Sequence, residues 1–201
     1  MKYLKTFEAA KKGITFQEWL NINPQDINTT EIKCNDSNLI DLNGIENFIN
    51  LTQLYCYNNQ LTQLPDLSNL NNLETLSCSN NKLTQLPDLS NLNNLETLSC
   101  SNNKLTQLPD LSNLNNLKNL YCNNNQLTKL PDLSNSNNLK ELSCSNNKLT
   151  QLTQLPDLSN LNNLNYLDCS DNQLPYNDLT EYLEWHKKEY PWIWNAKNYN
   201  M

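Results

Sequence analysis

The sequence predicts an α/β solenoid of about seven rungs, with short turns or 3₁₀ segments on the return side and a helical cap at each end. Three observations carry that expectation. The cysteines Cys34, Cys56, Cys78, Cys100, Cys122, Cys144 and Cys169 are separated by 22, 22, 22, 22, 22 and 25 residues. Around each of the last six the chain reads L-x-x-L-x-C-x-x-N-x-L, so the period belongs to a whole unit. Finally, 39 Leu and 41 Asn sit among 201 residues that are 37% apolar and 17% charged, as expected if each coil buries one narrow leucine stripe and exposes the rest. A fixed period of roughly 20–30 residues marks units that stack only on their neighbours.

Residues 1–28 are expected to form an N-terminal helical cap. Thr15-x-x-Glu18 has the pattern of a capping box ahead of Trp19 and Leu20, and Phe7, Phe16 and Trp19 supply packing groups. Residues 29–177 hold the repeats. A degenerate first unit with Ile32, Cys34, Ser37 and Leu39 precedes units that open at Leu51, Leu73, Leu95, Leu117, Leu139 and Leu164. A three-residue insertion near 153–155 accounts for the longer last gap.

Counting from each opening Leu, position 4 and the cysteine at position 6 are two apart and share a strand face. Both therefore point inward, with the Leu at positions 11, 14, 17 and 20 lining the way back. Position 9 is Asn59, Asn81, Asn103, Asn125, Asn147 and Asn172. The coil turns there, and an amide carries both donors and acceptors, so a stacked row is expected to satisfy backbone groups of neighbouring rungs. Pro65, Pro87, Pro109, Pro131 and Pro156 end extended pairing, and the Asp after each is expected to cap a turn. Residues 178–201 are expected to form a C-terminal cap. Asp178-x-x-Glu181 again suits a capping box, Leu179, Tyr182, Leu183 and His186 recur at helical spacing, and Trp185, Tyr190, Trp192 and Trp194 form an aromatic lid.

The unit resembles the leucine-rich repeat, whose sixth position is usually Leu. Its 22-residue length and LPDLSNLNNL tail are similar to the short repeats of internalins and of the phosphatase-regulator subgroup. The resemblance spans roughly residues 29–177 and implies an arc with the parallel sheet on its concave side.

Few residues point to chemistry. In-register cysteines are about 4.8 Å apart with parallel side chains, unsuited to disulfides, and no C-x₂₋₄-C pair offers a zinc site. They are expected to form an inert core ladder, and reduced thiols suggest a cytoplasmic setting. The opening MKYLKTFEAAKKGITF lacks the apolar run of a secretory signal, in line with that setting. A row of single carboxylates does not converge as calcium requires. His186 is the only histidine and no catalytic set assembles around it; Gly13 and Gly44, the only glycines, make no phosphate loop. The sequons at Asn28, Asn35 and Asn50 follow from the abundance of Asn. No catalytic residue, cofactor or metal is expected. A net charge of −7 argues against nucleic acid, and no run approaches the length of a membrane span.

What remains is a surface. The outward positions 3, 5, 7 and 8 carry mostly Ser, Thr and Asn, with two distinctive patches: Tyr55 with Tyr57, and Tyr121 with Glu141, Tyr166, Asp168 and Asp171. Tyr is enriched at binding hot spots. These residues are expected to bind another protein on the concave face of a monomeric, non-enzymatic module. The alternative is a structural or copy-number-variable repeat protein with no dedicated partner, because residues 70–91 and 92–113 are identical.

Overall fold

The computed structural model describes residues 13–133, 135–151 and 163–189. Phe7, Tyr190, Trp192, Trp194, the insertion at 153–155 and Asp157 lie outside them, as does the side chain of His186.

Among the described residues, seven three-residue strands form one parallel sheet in chain order: β1 (Glu31–Lys33), β2 (Gln53–Tyr55), β3 (Thr75–Ser77), β4 (Thr97–Ser99), β5 (Asn119–Tyr121), β6 (Glu141–Ser143) and β7 (Tyr166–Asp168). The register advances one unit per strand, so Ile32, Leu54, Leu76, Leu98, Leu120, Leu142 and Leu167 align in a row. The seven cysteines form a second row beside it, each fully buried. Pairing runs on past the named strands: Cys78 N–H donates to Ser99 O (2.8 Å) and Asn80 N–H to Ser101 O (2.9 Å).

The return path is a stack of leucines closed by tight turns. Leu64, Leu67 and Leu70 are buried, as are their counterparts in the next two units. Leu70 N–H donates to Leu67 O and Leu73 N–H to Leu70 O, each at 2.9 Å, and a 3₁₀ helix forms at Ile45–Asn47 in the first unit. In three units the Asp after the proline caps a turn: Asp66, Asp88 and Asp110 accept the N–H of Ser68, Ser90 and Ser112, each at 2.9 Å. A further row sits at position 22. Asn94 donates its amide to Asn71 O (3.0 Å), Asn116 to Asn93 O (2.9 Å) and Asn138 to Asn115 O (2.9 Å), tying each return path to the one before.

Both ends of the described stack are closed. Before the first rung, α1 (Phe16–Ile22) starts with a complete capping box: Glu18 N–H donates to Thr15 Oγ1 (3.2 Å) and Thr15 N–H to Glu18 Oε2 (2.8 Å). Phe16 is buried, stacked on Trp19 (centroids 5.6 Å apart) and edge-on to Phe48 (6.2 Å). After the last rung the chain turns back along β7. Cys169 N–H donates to Asn177 O (2.8 Å), and Asp178 bridges Asp168 in antiparallel sense, so part of the sheet edge is paired. Helix α2 (Leu179–Glu189) then packs Tyr182 and Trp185 on the buried Tyr176, with centroids 5.0 and 5.1 Å away.

The cap of α2 departs from the expected box in one respect. Asp178 Oδ1 accepts Glu181 N–H (2.9 Å), but Glu181 reaches past Asp178 to Asn177, accepting its backbone N–H (2.8 Å) and its amide (2.9 Å). Asn177 O accepts Cys169 N–H and Asp178 bridges Asp168, so both residues lie beside β7. No described helix is long and apolar enough to cross a membrane.

One core position breaks the pattern. Ser136 is 2% exposed where Leu70, Leu92 and Leu114 are fully buried in the equivalent place. Restoring the side chain by Ser136→Leu is expected to raise stability by about 0.5–2 kcal/mol, as other cavity-filling changes do. Thermal melting tests this: a lowered midpoint would show that the neighbouring coils have closed over the smaller residue.

Candidate interaction face

The sheet offers one side to the leucine stack and the other to solvent. What fixes the solvent side is the turn that follows each strand. Position 8, occupied by Asp36, Asn58, Asn80, Asn102, Asn124, Asn146 and Asp171, has a left-handed backbone with φ between 50° and 55°. Asn and Asp tolerate that conformation better than other side-chain-bearing residues. The turn brings the next residue, the position-9 Asn, back into the coil.

Asn81 shows what that residue does. Its Nδ2 donates to Cys56 O of the preceding rung (3.0 Å), to Cys78 O of its own (3.0 Å) and to Ser79 O (3.2 Å), while Oδ1 accepts Leu61 N–H of the preceding rung (3.0 Å). Asn103, Asn125, Asn147 and Asn172 repeat the pattern. Asn59 bonds Cys34 O and Cys56 O and accepts both Ser37 N–H and Leu39 N–H. The amides bond to backbone and not to one another. In the first unit Ser37 stands at this place, and its hydroxyl accepts the indole N–H of Trp19 (3.1 Å).

The cysteines are shielded from solvent. All seven are free and buried. Burial pushes the Cys34, Cys78 and Cys169 thiols up to about 12, and those of Cys56, Cys100, Cys122 and Cys144 well above their ordinary value. A thiol held protonated is neither nucleophile nor metal ligand. Among the described residues no group of three or more His, Cys, Asp or Glu is placed to hold a metal.

On the solvent side the two tyrosine patches differ. At one end Tyr55 donates its hydroxyl to Gln53 Oε1 (3.1 Å), and Lys33 lies 5.8 Å from its ring centre while pairing with Glu31 (2.8 Å). Tyr57, two residues on, is half-buried. At the other end the Tyr121 hydroxyl donates to Glu141 on the adjacent strand. Burial and the Glu141 carboxylate push the Tyr121 phenol up to about 12. Tyr166 lies opposite Glu141 in the register and is 48% exposed.

Asp168 is fixed separately. Its Oδ2 accepts the Ser145 hydroxyl (2.7 Å), and its Oδ1 accepts the Ser170 hydroxyl (2.7 Å) and N–H (3.2 Å). Burial alone would raise its pKa; these hydrogen bonds outweigh burial and hold the carboxyl below its ordinary value. The structure thus brings Tyr121, Glu141 and Tyr166 together and sets Asp168 beside them. It takes Asp171 off the strand: that residue occupies the left-handed turn after β7, where the backbone accounts for an Asp or Asn. Between the patches, β3 and β4 present only small hydroxyl side chains, with Ser79 and Ser99 2.8 Å apart.

The repeat geometry has a clear counterpart among known proteins. The family model for Leucine Rich repeats (2 copies) matches residues 71–113 and 115–157. The chain is a leucine-rich repeat protein. This leucine-rich repeat array is similar to YopM from Yersinia enterocolitica, with 32% identity over 80% of this chain and 37% of that one and a TM-score of 0.64. It is also similar to a leucine-rich repeat protein of Leptospira interrogans (33% identity, 66% of this chain and 34% of that one, TM-score 0.58). A third likeness is to an internalin, InlF, from Listeria monocytogenes (28% identity, 66% and 38%, TM-score 0.54). The chain thus covers between 34% and 38% of the length of these proteins. No curated protein sequence matches it. Leucine-rich repeat proteins are typically non-enzymatic protein-interaction modules.

Two outcomes follow from the geometry. Asn103→Ala removes an amide that serves two rungs and leaves Leu83 N–H without its acceptor, so it is expected to cost on the order of 1–3 kcal/mol. Asn113→Ala, at an exposed turn, is expected to stay within about 0.5 kcal/mol of the parent. Urea denaturation of the two variants measures both, and equal midpoints would refute the bridging role. For Asp168 the folded pKa is depressed, so its stabilising contribution is present above the unfolded value of about 3.9 and is lost as pH falls through the folded pKa. Ser145→Ala is expected to raise the Asp168 pKa, read from its carboxyl carbon shift by NMR.

Proposed function

We propose that this protein is a non-enzymatic module that binds another protein through the solvent face of its sheet, the concave side in the family's arc. The observation that carries this reading is where the units differ. In the five units opening at Leu51, Leu73, Leu95, Leu117 and Leu139, strand positions 4 and 6 are always Leu and Cys, whereas positions 3, 5 and 7 all change. The core side of each strand is uniform and the solvent side is not. Tyr55 and Tyr57 at one end, and Tyr121, Glu141, Tyr166 and Asp168 at the other, are the contacts proposed. Asp171 would join them from the adjoining turn. Tyr supplies large contact area at low conformational-entropy cost.

The patches begin on β2 and β5, three strand spacings apart, or roughly 14 Å. Such a span suits a partner that crosses the strands and engages both ends. The seven reduced, buried thiols support placing the protein in a reducing compartment such as the cytoplasm, and we propose a monomer there.

One observation favours a second reading. Residues 70–91 and 92–113 are identical, solvent positions included, as expected of an array whose copy number varies without a dedicated partner. A pull-down separates the two. Replacing Tyr55, Tyr57, Tyr121 and Tyr166 together by Ser is expected to abolish capture of the partner while the melting curve stays unchanged. Capture that survives the four substitutions would defeat the solvent-face reading.

A further inference from the structure

Of the 41 asparagines only Asn43 precedes a glycine, Gly44. Asn43 is exposed, at the turn of the first unit that leads into the 3₁₀ helix Ile45–Asn47. Gly44 has φ +102°, and nothing lies within 4 Å of the place a Cβ would take. Its N–H donates to Glu46 Oε2 at 2.9 Å. We propose that Asn43 is a site of spontaneous deamidation, and that Glu46 holds its rate down.

The chemistry needs only water. The Gly44 nitrogen loses its proton and attacks Cγ of Asn43; the bond from Cγ to the side-chain nitrogen breaks, and ammonia leaves with that proton. The five-membered succinimide is then opened by water at either carbonyl, giving an aspartyl or isoaspartyl residue and one added negative charge. Glycine leaves the attacking nitrogen unhindered, whereas every other asparagine followed by a residue faces a side chain there. Many of the others are also tied by their amides, as Asn59, Asn81 and Asn94 are.

Glu46 opposes the first step. The attacking species is an amide anion, and a carboxylate that accepts its hydrogen bond both favours the protonated form and repels the developing charge. Asn43 is also tied to the N-terminal cap. Asp41 Oδ1 accepts Asn43 N–H (3.1 Å) and Phe16 N–H (3.3 Å), and the flanking Leu42 and Ile45 are fully buried. An isoaspartyl linkage lengthens the main chain by one carbon between these anchors, so the modified protein loosens its hold on α1.

Incubating the whole protein at mildly alkaline pH and mapping its peptides by mass spectrometry tests this. The peptide holding Asn43 and Gly44 is expected to convert before any other asparagine peptide, and more slowly in folded protein than in concentrated urea. Glu46→Gln is expected to speed conversion several-fold in the folded protein and to leave the rate in urea unchanged. Earlier conversion at another asparagine, or a folded rate not raised by Glu46→Gln, would overturn the proposal. Hydrogen exchange at Phe16 and Trp19 should be faster in the isoaspartyl form; equal exchange would sever the link to the cap.

Discussion

Each rung is joined to the one before by the side-chain amide at position 9. The cysteine carbonyls lie where the strand ends and the coil turns, and a buried carbonyl without a donor costs about as much as a lost hydrogen bond. Asn81 supplies donors to its own Cys78 and to Cys56 of the previous rung, and takes up Leu61 N–H in return. The leucine and cysteine rows are held by burial, which is non-directional. The amides set the displacement of one coil against the next. The left-handed residue before each of them is the condition for this, because without that turn the amide would not point inward.

The first unit shows the same constraint from its boundary. A position-9 amide there would have no earlier cysteine carbonyl to serve. Ser37 stands in its place and receives the indole of Trp19, so the cap occupies the side where another rung would otherwise stack. At the other end, Cys169 N–H finds its acceptor in Asn177 rather than in a further strand. At the C-terminal end the cap thus takes up a backbone donor that a further rung would have used, and at the two ends Phe16 and Tyr176 cover the apolar part. The polar composition of the chain then has a structural cause. Asparagines hold both the sheet-side turn and the return path together, while small buried cysteines fill the space beside the leucine row.

The periodicity of Leu and Cys is enough to read a stack of equal units and its inward rows, because alternate strand residues share a face whatever the partner strand does, while the parallel sheet follows from the resemblance to leucine-rich repeats. Asn81 and its equivalents were legible for the same reason: one residue type recurs where the coil must turn. Less was legible where a contact depends on how far one coil is displaced from the next. Asn94 and Asn116 look like ordinary loop residues beside Asn93 and Asn115, and only the stacking shows that their amides reach the preceding turn. The invariant Asn or Asp at position 8 is visible, yet its meaning lies in a φ angle: the pattern groups Asp171 with the sheet face, and the backbone puts it in the turn. On that face the tyrosines could be named, but the diagonal from Tyr121 to Glu141 requires both register and rotamer. Tyr176 precedes the helical pattern it packs beneath, so no periodicity points to it.

Identical neighbouring coils also shape the way the chain can assemble. Nothing in residues 70–91 distinguishes them from residues 92–113, so β2 meets the same partner surface in β3 as it would in β4. A folding chain that skips one coil forms a locally correct interface and loops out 22 residues. Closing so short a loop carries only a modest entropic penalty. The skipped state lacks one coil of buried leucine and one amide from each of the two asparagine rows, so it is higher in free energy but free of any local clash. Correct counting of coils is therefore enforced by total burial across the whole stack, and no single contact can proofread it.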